Sequence, residues 1–337
     1  MLLNTDYIEP AELTGFARAA AGDLEINRFT LSRWLPNRLV DDLEYRFARG
    51  GDGLADAATF RAYDAESPIG SRPGISRVTG ELPPISRKIR LSEYDRLRQR
   101  KLQEAVGDAI MSDAERMVQS VAARLELARG QALVTGKVTI SENGVIAEAD
   151  FGRAAGHTVT AAASWALAAT DIIGDLNTWR DTYVANTGQE PGSIVTSRKV
   201  MGYMLRNEAF RQLVATMAGT PTLVNNNAVD NMLASHGLPP VITYDAQVRV
   251  NGSATRVIAD DKVLLLPAVG SGEMGATLYG TTAESLEPEF GLSGSEAGIV
   301  AGAYSTKDPV AVWTKAAAIA MPILANPDLS FAADVIP

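Results

Sequence analysis

The 337-residue chain contains no cysteine. Disulfides, thiolate nucleophiles and cysteine-ligated metals are therefore excluded. Histidine occurs only at His157 and His236. A zinc site or a Ser–His–Asp triad would have to be built around one of these two, and neither stands at a metal-ligand spacing. His157 lies in the turn-rich GRAAGHTVT, and His236 lies in ASHGLPP, where a helix stops. Both read as surface or helix-end histidines. No apolar run approaches the roughly 18 residues that a membrane helix needs. The start, MLLNTDYIEPAELTG, has no basic region ahead of an apolar core and meets acid at Asp6 and Glu9. It is not a signal peptide.

What is present is an ordinary globular balance, 46% hydrophobic and 21% charged. The length exceeds one ordinary core, so two or more packed units are expected. The net charge is -9, yet PPISRKIRLSEYDRLRQRK at 83–101 is densely basic. Seven of the fifteen residues 87–101 are Arg or Lys: Arg87, Lys88, Arg90, Arg96, Arg98, Arg100 and Lys101.

Residues 1–30 read as an extended or partly helical arm. In 31–48, Trp34, Leu35, Leu39, Leu43 and Phe47 offer one apolar face near Pro36. Residues 50–90 are broken by GGDG, SPIG, SRPG and Pro83–Pro84, with short β-like pieces between. A stretch that long without its own core is functional or disordered, and its β content favours a projecting hairpin. Ser92, followed three residues later by Asp95, has the pattern of a capping box. Val106, Ile110, Ala114, Met117, Val121, Leu125 and Ala128 then form one helical stripe, predicting a helix over about 93–134, with Gly107 as a point of division. Glu104, Asp108, Glu115, Arg116, Arg124 and Glu126 fall largely off that stripe.

A hairpin is predicted over KVTISENGVIAEADF with Asn143–Gly144 at its turn. A helix over 170–186 has Ile172, Ile173, Leu176, Trp179 and Tyr183 on one face. GSIVTS reads as a strand, MGYMLRNEAFRQLVATM as one helix, and PPVITYDAQVRV, TRVIAD and KVLLLPA as strands. Helices interleaved with strands make the fold class α+β. GSGEMG at 270–275 matches a dinucleotide fingerprint, but ATLYGTTAE after it reads as a strand where the fingerprint needs a helix. A hairpin connection fits better. Asp260–Asp261 marks a turn, because neighbouring strand side chains point to opposite faces. NNNAVDN at 225–231 is turn and N-cap chemistry without the spacing of a calcium loop.

The closing stretch STKDPVAVWTKAAAIAMPILANPDLSFAADVIP resembles the end of lambda-type phage major capsid proteins, the major capsid protein E family. Asp308–Pro309, Ala316–Leu324 and Pro327–Asp328 stand in that family's order. Residues 238–284 resemble its run of strand, turn, strand and Gly-containing hairpin. The resemblance implies the Hong Kong 97-type capsid fold. It assigns 1–45 to an N-terminal arm and 46–92 to an extended loop. Residues 93–160 and 301–337 become a peripheral domain with the spine helix, and 161–300 an axial domain.

The function implied is that of a tailed double-stranded DNA phage head protein, without catalysis or cofactor, forming hexamers and pentamers in the virion after assembly in the host cytoplasm. Portal protein, packaged DNA bound without sequence preference and an optional decoration protein are the implied partners, with no membrane. The chain has no long charged coiled-coil leader, so a separate scaffolding protein is expected. An encapsulin-type compartment is the rival shell, and an NAD(P)-dependent oxidoreductase using GSGEMG is the rival from another class. Within the shell reading, the seven basic residues of 87–101 are expected to contact acidic surface on a neighbouring subunit. Arg near a helix N-terminus opposes the macrodipole, so helix stability does not account for them.

Overall fold

The computed structural model describes residues 8–49, 76–94, 103–142, 145–213, 221–292, 297–308 and 310–336. Helix α1 spans Pro10–Asn27. Pro10 suits its first turn, where a missing N–H forfeits no helical bond. A 3-10 turn at Thr30–Arg33 follows, then β1 (Asn37–Leu39) and β2 (Glu44–Arg49). The apolar face expected over 31–48 is not continuous. Trp34 and Leu35 are buried, whereas Leu39 and Leu43 are exposed. Pro36 disfavours helical geometry at the residue before it, and the chain beyond runs extended.

Strand β2 pairs antiparallel with β3 (Ser76–Glu81), from Glu44 opposite Glu81 to Arg49 opposite Ser76. Strand β4 covers Pro84–Leu91. Helix α2 runs from Gln103 to Thr135, about 50 Å at 1.5 Å per residue. All seven stripe residues from Val106 to Ala128 are buried. The helix passes through Gly107 without dividing. It ends at Gly136, whose φ of 69° suits glycine. Arg153 closes the end by donating to the carbonyls of Leu133 and Val134. Burial of this guanidinium lowers its pKa to about 10.

Strands β5 (Lys137–Glu142) and β6 (Val145–Asp150) form the expected hairpin, with Glu142 opposite Val145. After β7 (Thr158–Thr160) comes α3 (Ile172–Thr187). The Asp171 carboxylate accepts from the Gly174 N–H, and Gly188 ends the helix at φ 70°. Its five predicted face residues are all buried. Strand β8 is Ser193–Thr196.

The single helix expected next is two, α4 (Arg198–Met204) and α5 (Glu208–Leu213). Asn207 divides them. Its side-chain amide donates to Ala168 O and Thr170 O, and its Oδ1 accepts from the Ala209 N–H. Helix α6 (Asn226–Ser235) starts on Asn225, whose side chain accepts from the Ala228 N–H, bearing out the N-cap reading of this cluster. Strands β9 (Val241–Thr243), β10 (Gln247–Val250), β11 (Ser253–Arg256), β12 (Lys262–Leu266) and β13 (Gly275–Gly280) follow. The chain closes with the short α7 (Ala283–Leu286), β14 (Val300–Lys307), β15 (Val310–Leu324) and β16 (Phe331–Asp334).

Two five-stranded sheets organise ten of these strands, and β2–β3, β5–β6 and β10–β11 pair as separate two-stranded sheets. In the first, β15 is the trunk and pairs antiparallel with β4, β14 and β13, while β1 adds parallel to β13. The second has the order β7-β16-β12-β8-β9. Strand pairings cross residue 300 in both directions: β13 joins β15, and β16 joins β12 and β7. One face of the first sheet packs on α1 and α2. Ala316, Ala318 and Ala320 of β15 are buried there with Ile110, Met117 and Leu125. Their short side chains let a helix lie close. The second core gathers α3, the second sheet and the far end of α2, with Trp165 and Trp179 stacked 5.5 Å apart.

Two expectations need correction. GSGEMG does not close a hairpin, because β12 and β13 belong to different sheets. Gly270 and Gly272 take φ of 82° and 67°, and the Gly270 N–H bonds to Arg33 O. A Cβ on Gly275 would meet Ile323 O at 2.0 Å, so this glycine serves close strand packing. His157 is fully buried instead of lying at the surface. Its ring sits 5.4 Å from Phe331 and 6.0 Å from Tyr183, and Asn186 Nδ2 lies 2.7 Å from its Nε2.

Candidate assembly interface

The two cores meet at a buried ion network. Glu126 and Arg129 occupy neighbouring turns of α2, with side chains 0% and 1% exposed. Glu126 Oε1 accepts from the Leu31 N–H at 3.0 Å and the Tyr244 hydroxyl at 2.5 Å. Arg129 donates from Nη1 to Glu126 Oε2 at 3.1 Å and from Nε to Thr277 Oγ1 at 2.8 Å. Its Nη2 reaches Glu25 Oε1 at 2.8 Å and Asn37 Oδ1 at 2.6 Å. The network thus joins α1, the turn after it, β1, α2, β13 and the loop after β9.

Burial pushes the Glu126 carboxyl up, while Arg129, Tyr244 and the Leu31 N–H pull it back. Burial also raises the Tyr244 phenol and pushes Tyr279 up to about 12. The apolar stripe of the sequence puts Glu126 off the buried face. Its partners come from distant segments, and the only local sign was an acid three residues before a base.

Strand alternation splits the basic run. Ile85, Ile89 and Leu91 of β4 pack toward α2, and Arg87 on the same side donates to Ser120 Oγ at 3.0 Å. Lys88 and Arg90 lie on the other face and are exposed. Arg90 is opposite Trp313, and Trp313 is opposite Tyr304. The two aromatic rings stack at 6.4 Å, and Lys88 Nζ stands 4.6 Å over the indole. This row across three strands is a cation–aromatic platform. Next to it, Lys315 bonds Glu284. Strand β4 has no strand on its outer edge among the described residues. Arg96, Arg98, Arg100 and Lys101 lie outside the described residues.

Other candidates supply little chemistry. Among the described residues, no group of acids and histidines could hold a metal ion. No described helix is long and apolar enough to cross a membrane. A cleft of about 240 Å³ between α1 and β1, lined by Arg18, Glu25, Asn37, Leu39 and Tyr279, opens beside the ion network. GSGEMG leads into strand β13, where a dinucleotide site requires a helix.

The fold is shared with solved phage structures. A putative capsid protein of a prophage from Escherichia coli CFT073 superposes with a TM-score of 0.65 at 14% identity, over 97% of this chain and 99% of that one. A phage-related protein from Bordetella bronchiseptica RB50 gives 0.60 at 13% identity, over 96% of each chain. A virus-like particle from Pyrococcus furiosus gives 0.51 at 12%, over 96% of this chain and all of that one. No curated protein matches the chain. The family profile described as phage major capsid protein E matches residues 51–335, from just past the end of β2 through the last strand. With the capsid-type α+β fold extending over almost the whole length, the chain belongs to the phage major capsid protein E family.

Proposed function

We propose that this capsid subunit builds the icosahedral head of a tailed double-stranded DNA phage as hexamers and pentamers, assembled in the host cytoplasm. A capsid protein of this family has a structural task and not a catalytic one. The family match over residues 51–335 carries the reading. In the proposed division, residues 1–45 are the arm and 46–92 the extended loop, residues 93–160 and 301–337, with α2 as the spine, are the peripheral domain, and 161–300 are the axial domain. A separate scaffolding protein, a portal, packaged DNA and an optional decoration protein are its proposed partners. Many modest contacts acting together would close the shell.

Two experiments test this. Electron microscopy of the purified protein should show closed isometric shells, and particles from infected cells should contain double-stranded DNA. Particles filled with a cargo enzyme and no genome would favour a compartment shell instead. Residues 50–75 join the paired ends Arg49 and Ser76. Replacing them with Asn-Gly should leave a folded subunit that forms no closed shells, and normal shells would remove the extended loop from the assembly mechanism.

A further inference from the structure

The β15-centred sheet carries opposite charge at two places along its length. At one of them Asp41, Asp42 and Glu44 are exposed around Leu43, itself 54% exposed. Backbone bonds fix this knob: the Val40 N–H donates to Tyr279 O at 2.8 Å, and the Leu82 N–H to Leu43 O at 2.9 Å. The Thr281 hydroxyl donates to Asp41 Oδ1 at 3.3 Å. Gly280 is opposite Ile319, and Ile319 is opposite Pro84, so the knob sits beside the Ile319 stretch of β15.

The platform of Lys88, Arg90, Trp313 and Tyr304 lies farther along the same strand. At about 3.3 Å per residue, Trp313 is about 20 Å from Ile319. The two features on one chain are therefore too far apart to meet. Among the described residues, Lys88 and Arg90 have no carboxylate partner within the chain. Among the described residues, Glu44 pairs only with Arg46, an exposed residue of its own strand.

We infer that the Asp41–Glu44 knob of one copy docks on the Lys88–Arg90–Trp313–Tyr304 platform of the next. This inference rests on the shell-subunit reading. The charges are complementary, Leu43 offers an apolar tip to the stacked rings, and the edge of β4, which has no strand on it among the described residues, offers backbone groups beside them. The knob and platform are different patches, so the contact is heterologous. A heterologous contact repeated head to tail closes into a ring when its rotation allows, which is the geometry a hexamer or pentamer requires. Arg87, tied to Ser120, stands outside the contact.

A charge-reversal set tests the pairing, assembled from purified subunits without DNA and read by sedimentation and electron microscopy. Lys88→Glu with Arg90→Glu should lose most particles, as should Asp41→Lys with Glu44→Lys. All four changes in one chain should restore them. Lys88→Gln with Arg90→Gln should give an intermediate loss, and circular dichroism of each subunit checks folding. Undiminished particles from either one-sided pair would overturn the inference. So would one-sided losses that the fourfold variant does not repair. If the unaltered protein forms no shells, either purified or in infected cells, the underlying shell reading fails and not merely this contact.

Discussion

Arg129 Nη1 lies 3.1 Å from Glu126 Oε2, one turn away on α2, with both side chains sealed from solvent. Every hydrogen-bonding partner of the pair belongs to a segment that must be correctly placed for both cores to form. Arg129→Met would leave the Glu126 carboxylate buried without its cation, a loss of about 3–5 kcal/mol. Arg129→Lys keeps the charge but not the fork, so its cost should be smaller, about 1–3 kcal/mol. Urea unfolding of the dissociated subunit measures both. A loss below about 1 kcal/mol for Arg129→Met would show that the network is dispensable to the fold.

His157 should make the subunit acid-sensitive. Burial holds its pKa below the ordinary value of 6.5, with neighbouring Arg153 acting in the same direction and Asp328 against it. The unfolded chain therefore binds this proton more readily than the folded one. Stability from this group is fully present above pH 6.5 and declines as pH falls toward the depressed folded value. His157→Gln cannot titrate. Melting temperatures of the two proteins should diverge more between pH 6.5 and 5 than between pH 8 and 7, with the unaltered protein falling faster. Parallel curves would exclude the histidine as a contributor.

Two glycines should respond in opposite senses. Gly107 lies inside α2 with open space where a Cβ would sit. Gly107→Ala should stabilise by about 0.5–1 kcal/mol through helix propensity. Gly275 faces the carbonyl of Ile323 across the β13–β15 pairing. Gly275→Ala should cost about 1–3 kcal/mol, since either strand must shift. Denaturation midpoints of the two variants give the comparison directly.

Helix α2 was legible because its signal is local. A stripe of apolar residues at three and four spacings is written into one continuous segment, and every member proved buried. The face of α3 was readable for the same reason. Partnership between distant segments was not. KVLLLPA and ATLYGTTAE both announce strands, but nothing between them says that one joins β8 and the other β15. The basic run shows a finer miss. Its first part reads as β, and alternation alone separates Arg87 from Lys88 and Arg90, so the run is not one strip. His157 and Glu126 were misplaced because burial of a polar group depends on partners supplied from elsewhere, here Asn186 for the first and Tyr244 for the second. The family resemblance supplied the overall architecture where these local signals could not.

Helix α2 and strand β15 are matched in length. Thirty-three helical residues and fifteen extended ones both measure about 50 Å. They are in contact, and both reach from the first core into the second. Packed against each other in this way, they resist bending as a laminated beam does, in which bending one member stretches or compresses the other. In the shell proposed above, a push from inside would tilt the subunit as a whole instead of flexing it, and the strain would collect at the seams between copies and leave both cores undisturbed.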